Sequence, residues 1–84
     1  MTSEHAEKII LPLSKLHVKD KGVIAYLHTK NKNQVQKLMN IGVLPGMHIS
    51  LLQRFPSYVF ALGHSQFAVD KDLAEAIYVS VAKR

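Results

Sequence analysis

Cysteine is absent, which excludes disulfides, thiolate metal sites and thiol nucleophiles. That absence suits a reducing compartment. Tryptophan is absent as well, so three tyrosines and three phenylalanines supply all the aromatic surface. The longest apolar stretches, around Ile9 to Leu13 and Val59 to Leu62, fall far short of the roughly 20 residues a membrane-spanning helix requires. Met1 to Lys8 are polar and mixed in charge, and they read as a loose tail and not as a secretion signal. No glycine-rich phosphate loop with a following lysine occurs. Ser14, Ser50, Ser57, Ser65 and Ser80 lack the glycine elbow of a serine hydrolase. The few carboxylates form no evident acid–base pair. The sequence therefore reads as a binding module and not as an enzyme.

What remains is short and basic. At 84 residues with a net charge of +5, the chain has room for one domain, taken as residues 9–84 behind the tail. A domain of this size buries only about 60% of the surface of its unfolded chain, so most apolar residues in regular elements are needed for packing. The charge is unevenly placed. Lys15, Lys19, Lys21, Lys30, Lys32 and Lys37 crowd the first half, whereas Asp70, Asp72 and Glu75 lie near the end. Such asymmetry favours anionic partners.

Five strands and one helix follow from the pattern. Leu11, Leu13 and Leu16, broken by Pro12 and Ser14, read as a hook and not as a full strand. Gly22 opens a β-branched and aromatic run from Val23 to Leu27. Val35, Leu38 and Met39 then recur at the spacing of one helix face, predicting a helix over 34–41 with Asn33 as its N-cap. Gly42 stands where a left-handed residue would stop that helix. Pro45-Gly46 occupy the central positions of a type II turn. Met47, Ile49 and Leu51 alternate with His48 and Ser50 in a strand. Tyr58 to Leu62 and Gln66 to Val69 form two more around a Gly63-His64-Ser65 hairpin connection. Asp70 caps a helical turn over 71–74, and Ile77, Val79 and Val81 alternate through a last strand. Phe55, Phe60 and Phe67 are expected in the core. A β-rich chain this short should curl into a small barrel to limit open edges.

Several of these residues resemble a known family. Leu11-Pro12-Leu13-Ser14-Lys15-Leu16 with Gly22, the run Lys37-Leu38-Met39-Asn40-Ile41-Gly42-Val43-Leu44-Pro45-Gly46, and Gly63 with Phe67-Ala68-Val69 and Ile77-Tyr78-Val79 are similar to FeoA-type domains in order and spacing. The resemblance covers roughly Leu11 to Val81. It implies an SH3-like barrel, mainly β, and a cytoplasmic accessory role in ferrous iron uptake beside a membrane permease of the FeoB type. It also implies no catalytic residues and no cofactor. Lys30, Lys32 and Lys37, with Arg54 and Tyr58, are the expected partner contacts, while Gly42, Pro45 and Gly46 form the structural motif. Binding to the permease would place the chain at the inner face of the membrane.

Two rival readings come from the same residues. A basic barrel with Tyr26, Tyr58 and Tyr78 could stack RNA bases, but Arg54 is the only arginine before the terminus. A free-standing module related to the C-terminal SH3-like domain of metal-dependent repressors is the other. Imidazole suits ferrous iron, yet His5, His17, His28, His48 and His64 show no pairing at strand or helix spacing. Only a meeting of His28 with His48 across strands would offer two, and no metal site is expected.

Overall fold

The computed structural model of the chain describes residues 7–83. Among them, six strands form one antiparallel sheet: β1 (Lys8–Pro12), β2 (Lys21–Leu27), β3 (His48–Gln53), β4 (Tyr58–Leu62), β5 (Ser65–Val69) and β6 (Ile77–Ala82). Two helices, α1 (Lys32–Asn40) and α2 (Lys71–Ala76), and a 3-10 turn over Leu13–Lys15 complete the order. The strands lie in the order β1-β6-β2-β3-β4-β5.

The segment expected as a hook is a strand. Lys8 to Pro12 pair with Ala82 to Tyr78 on β6, and Pro12 ends the strand because proline offers no N–H to continue the ladder. Leu13 and Leu16, which flank and close the 3-10 turn, are fully buried. The strand also shortens the expected tail, since Glu7 pairs with Lys83 through backbone (2.9 Å) and side chain (2.9 Å). Residues 1–6 of that tail lie outside the described residues.

Two irregularities bend the sheet. Register shifts between Ile24 and Tyr26 against β6, and between Leu51 and Gln53 against β4. Bulges of this kind raise the local twist and turn a flat sheet toward closure. β1 and β5 stand at opposite ends of the strand order, and α2 with the 3-10 turn spans the space between them, touching β1, β5 and β6. Ala74 and Ala76 are buried there because small side chains suit so close an approach. Phe60, Ile24, Leu51, Ile77, Val79, Leu38 and Val43 fill the interior. Phe60 packs 5.7 Å from half-buried Phe67, but Phe55, expected inside, is 85% exposed on the β3–β4 loop beside the cis Phe55–Pro56 bond.

Gly22 shows how tightly β2 lies on β6. A Cβ built there would stand 2.4 Å from the Ser80 carbonyl oxygen and 2.6 Å from Val79 Cγ1. Here glycine is required by contact.

Candidate functional site

The lysines expected to meet a partner gather around α1. Its N-cap is Asn31 and not Asn33, because the Asn31 side chain accepts the Asn33 N–H at 2.9 Å. Thr29 Oγ1 donates to Gln34 Oε1 at 2.9 Å and reinforces the same turn. The helix thus starts two residues earlier than its periodicity suggested. Lys32 and Lys37 are exposed on the helix, and Lys30 is exposed in the loop before it. Of the expected inward face, Leu38 is fully buried and Val35 half-buried, but Met39 points to solvent.

The helix stop explains which apolar residues are left outside. Gly42 has φ 97°, its N–H bonds the Met39 carbonyl (3.0 Å), and the Val43 N–H bonds the Leu38 carbonyl (3.0 Å). This paired arrangement is the Schellman motif, and it turns Val43 back onto Leu38 in the core. The Pro45-Gly46 turn follows, closed by Met47 N–H to the Leu44 carbonyl at 3.1 Å with Gly46 at φ 93°. Ile24 holds that turn against β2 through bonds to Gly46 N–H (2.8 Å) and the Met47 carbonyl (2.9 Å). With Val43 taking the inside place, Ile41, Leu44 and Met47 join Met39 as exposed apolar side chains. Sequence reasoning missed this group. Part of the signal was present in the spacing, since the residue just after a Schellman glycine is the one that commonly packs back on the helix.

Arg54 and Tyr58 lie elsewhere. Gln53 pairs with Val59 at the end of β3 remote from the Met47 turn, roughly 20 Å away at the usual strand rise. The Arg54 guanidinium donates to the Ser14 carbonyl at 3.0 Å, tying the β3–β4 loop to the 3-10 turn. Tyr58 is half-buried and packs against the core. The five expected contacts therefore separate into a lysine group at α1 and two residues at the far end of β3. Lys30 also lines a cavity of about 380 Å³ with His28, Asp72 and Glu75, so acids share its surroundings.

His28 and His48 stay apart, and His5 lies outside the described residues. His48 sits opposite Val23 on β2, and His28 is five residues farther along, about 16 Å by strand rise. His28 instead approaches Tyr78 edge-on at 6.4 Å, while Tyr26 and Tyr78 stack on each other at 4.8 Å. Among the described residues, no three histidine, aspartate or glutamate side chains converge where a metal ion could be held.

Comparison with known proteins now decides the family. The sequence model of the FeoA domain matches residues 11–81. The chain belongs to the FeoA family. Members of this family are associated with ferrous iron transport. No curated protein matches the chain. Among solved structures, an iron uptake regulatory protein (FeoA) is 30% identical, covers 87% of this chain and 99% of its own, and superposes with a TM-score of 0.77. The zinc-complexed FeoA of Stenotrophomonas maltophilia, described as an SH3-domain protein, is 19% identical over 80% of this chain and 86% of its own, with a TM-score of 0.71. A manganese-dependent transcriptional repressor is 19% identical over 92% of this chain, with a TM-score of 0.81. This FeoA-family chain spans only 44% of that repressor, so the likeness shows a shared SH3-like fold. Among the described residues, no helix is long and apolar enough to cross a membrane.

Proposed function

We propose that this FeoA-family protein is a cytosolic accessory of ferrous iron uptake that docks on the cytosolic part of a FeoB-type permease. The family match over residues 11–81 carries the reading. The surface supports it: α1 and the turn after it expose both charge, at Lys32 and Lys37, and apolar side chains, at Met39, Ile41, Leu44 and Met47. An apolar centre bordered by charge is the usual anatomy of a recognition surface. Lys30 adds to that charge. Arg54 acts by holding the 3-10 turn, and Tyr58 by packing on the barrel.

Charges on a rim act mainly on encounter, and salt screens them. Binding to permease-containing membranes should weaken as ionic strength rises from about 0.05 to about 0.5 M, a roughly threefold fall in Debye length. A pull-down with the tagged protein tests this. Reversal of Lys30, Lys32 and Lys37 to glutamate should weaken capture while leaving Tm nearly unchanged. Normal capture of the permease by that triple variant would remove the reading of α1 as the docking face. Capture of RNA in place of the permease would replace the transport reading with a nucleic-acid one.

A further inference from the structure

The outer face of the sheet carries a second basic feature, independent of α1. Ser80 on β6 lies opposite Val23 on β2, which lies opposite His48 on β3. One rung on, Lys21 lies opposite Ser50, and Ser50 opposite Ala61. Lys8 on β1 lies opposite Ala82. Side chains at these alternate positions share one face of the sheet. Most of them are small, so they form a floor, and the three long ones stand around it. The result is an open cavity of about 460 Å³ with Lys8, Lys21 and His48 at its walls and the Ser50 and Ser80 hydroxyls between them.

Its charge is one-sided. Every ionisable side chain that lines it is basic. Among the described residues the acids have other partners or places: Glu7 with Lys83, Asp20 with the His17 N–H, Asp70 at the cap of α2, and Asp72 and Glu75 at the other cavity. All five polar side chains can donate hydrogen bonds, two of them as ammonium groups. Such a set suits a group with several acceptor oxygens and negative charge, and the alanine and valine floor suits a short apolar body attached to it.

We propose that this cavity binds a phosphate monoester or diester carrying a small organic group. Lys8 and Lys21 neutralise the charge, Ser50 and Ser80 donate to phosphate oxygens, and His48 closes the side toward β3. A soluble organophosphate and the headgroup of an anionic phospholipid present the same chemistry, and the test separates them.

The full chain, labelled with nitrogen-15, is titrated with glycerol 3-phosphate, and separately mixed with phosphatidylglycerol or phosphatidylcholine vesicles. Saturable amide shifts at Lys21, Gly22, His48 and Ser80 with glycerol 3-phosphate are expected if the ligand is soluble. Co-sedimentation with phosphatidylglycerol vesicles but not phosphatidylcholine vesicles, with weak shifts from the free ester, is expected if it is a headgroup. In either arm K21Q should weaken binding about tenfold, the scale of one lost charge-assisted hydrogen bond, with Tm unchanged. The conservative K21R should restore most of it. Two results overturn the site: shifts confined to Lys30, Lys32 and Lys37, or phosphate-ester and vesicle binding unaffected by K21Q combined with K8Q. The second result leaves the reading of α1 as a permease contact untouched.

Discussion

The two helices are capped alike, by Asn31 and by Asp70, yet they bury themselves to very different degrees. α2 hides Ala74 and Ala76 and spans the gap between the edge strands, so its side chains are constrained on several sides. α1 buries Leu38 alone. A helix that fully buries one leucine, half-buries Gln34 and Val35 and meets α2 still leaves its other side chains exposed, whereas one wedged between β1, β5 and the 3-10 turn is committed to closing the fold. The proposed docking face thus lies on the less buried of the two helices.

The comparison breaks most readily at the single anchor. Leu38→Ala should cost about 2–5 kcal/mol, the transfer term plus a cavity, read as a lower urea midpoint with little change in slope. A loss below about 1 kcal/mol would mean that α1 is held by more than Leu38. Gly22→Val tests the sealed side. Its Cβ would meet the Ser80 backbone oxygen and the Val79 and Val81 side chains, so β2 must lift from β6 at a cost of about 1–3 kcal/mol. An unchanged melting curve would show the β2–β6 seam to be loose.

Gly42→Val sharpens the contrast between contact and conformation. A Cβ at Gly42 meets nothing within 4 Å, but φ is +97°. The expected cost is about 1–2 kcal/mol from backbone strain alone, and Gly42→Ala should cost nearly as much. If alanine were harmless and valine costly, crowding and not φ would be the cause. Next in size, Asp70→Ala removes the acceptor for the Leu73 N–H at 2.9 Å and should cost about 1 kcal/mol. Asp70→Ser or Asp70→Asn should recover most of it in thermal melts.

Much of this architecture was legible because local chemistry decided it. The Gly42 stop, the Pro45-Gly46 turn, the Asp70 cap and the alternation of Ile77, Val79 and Val81 each follow from neighbouring residues, and each stands in the structure. β1 was not legible, because Lys8 to Pro12 form a strand only through pairing with β6 at the other end of the chain. Phe55 was misplaced inward on its aromatic character, although Pro56 and Ser57 beside it break the strand and the loop carries it away from the barrel. Met39 satisfied the helix period, yet it is exposed while Leu38 and Val43 are the residues of this stretch that are fully buried. At the candidate site, the α1 lysines were visible as a charge cluster, but the split that sends Arg54 to Ser14 depends on contacts 40 residues apart.

The smallest expected effect on stability is the most informative about function. Met39 and Leu44 are 44% and 40% exposed, so replacing both with glutamine keeps the covered stem carbons in place and makes only the exposed ends polar. Stability should change by no more than about 0.5 kcal/mol, the range for surface substitutions away from special features. Buried against a partner, the same side chains would each lose a desolvated contact worth on the order of 1 kcal/mol or more. The double variant should therefore keep its urea midpoint while its capture by permease-containing membranes falls about tenfold or further. Unlike the lysine reversals, this loss should persist at high salt, because apolar contacts are not screened. A variant that loses capture only at low salt would shift the recognition from the apolar centre to the charged rim. One that loses stability as well would show that Met39 and Leu44 serve the fold and not a partner.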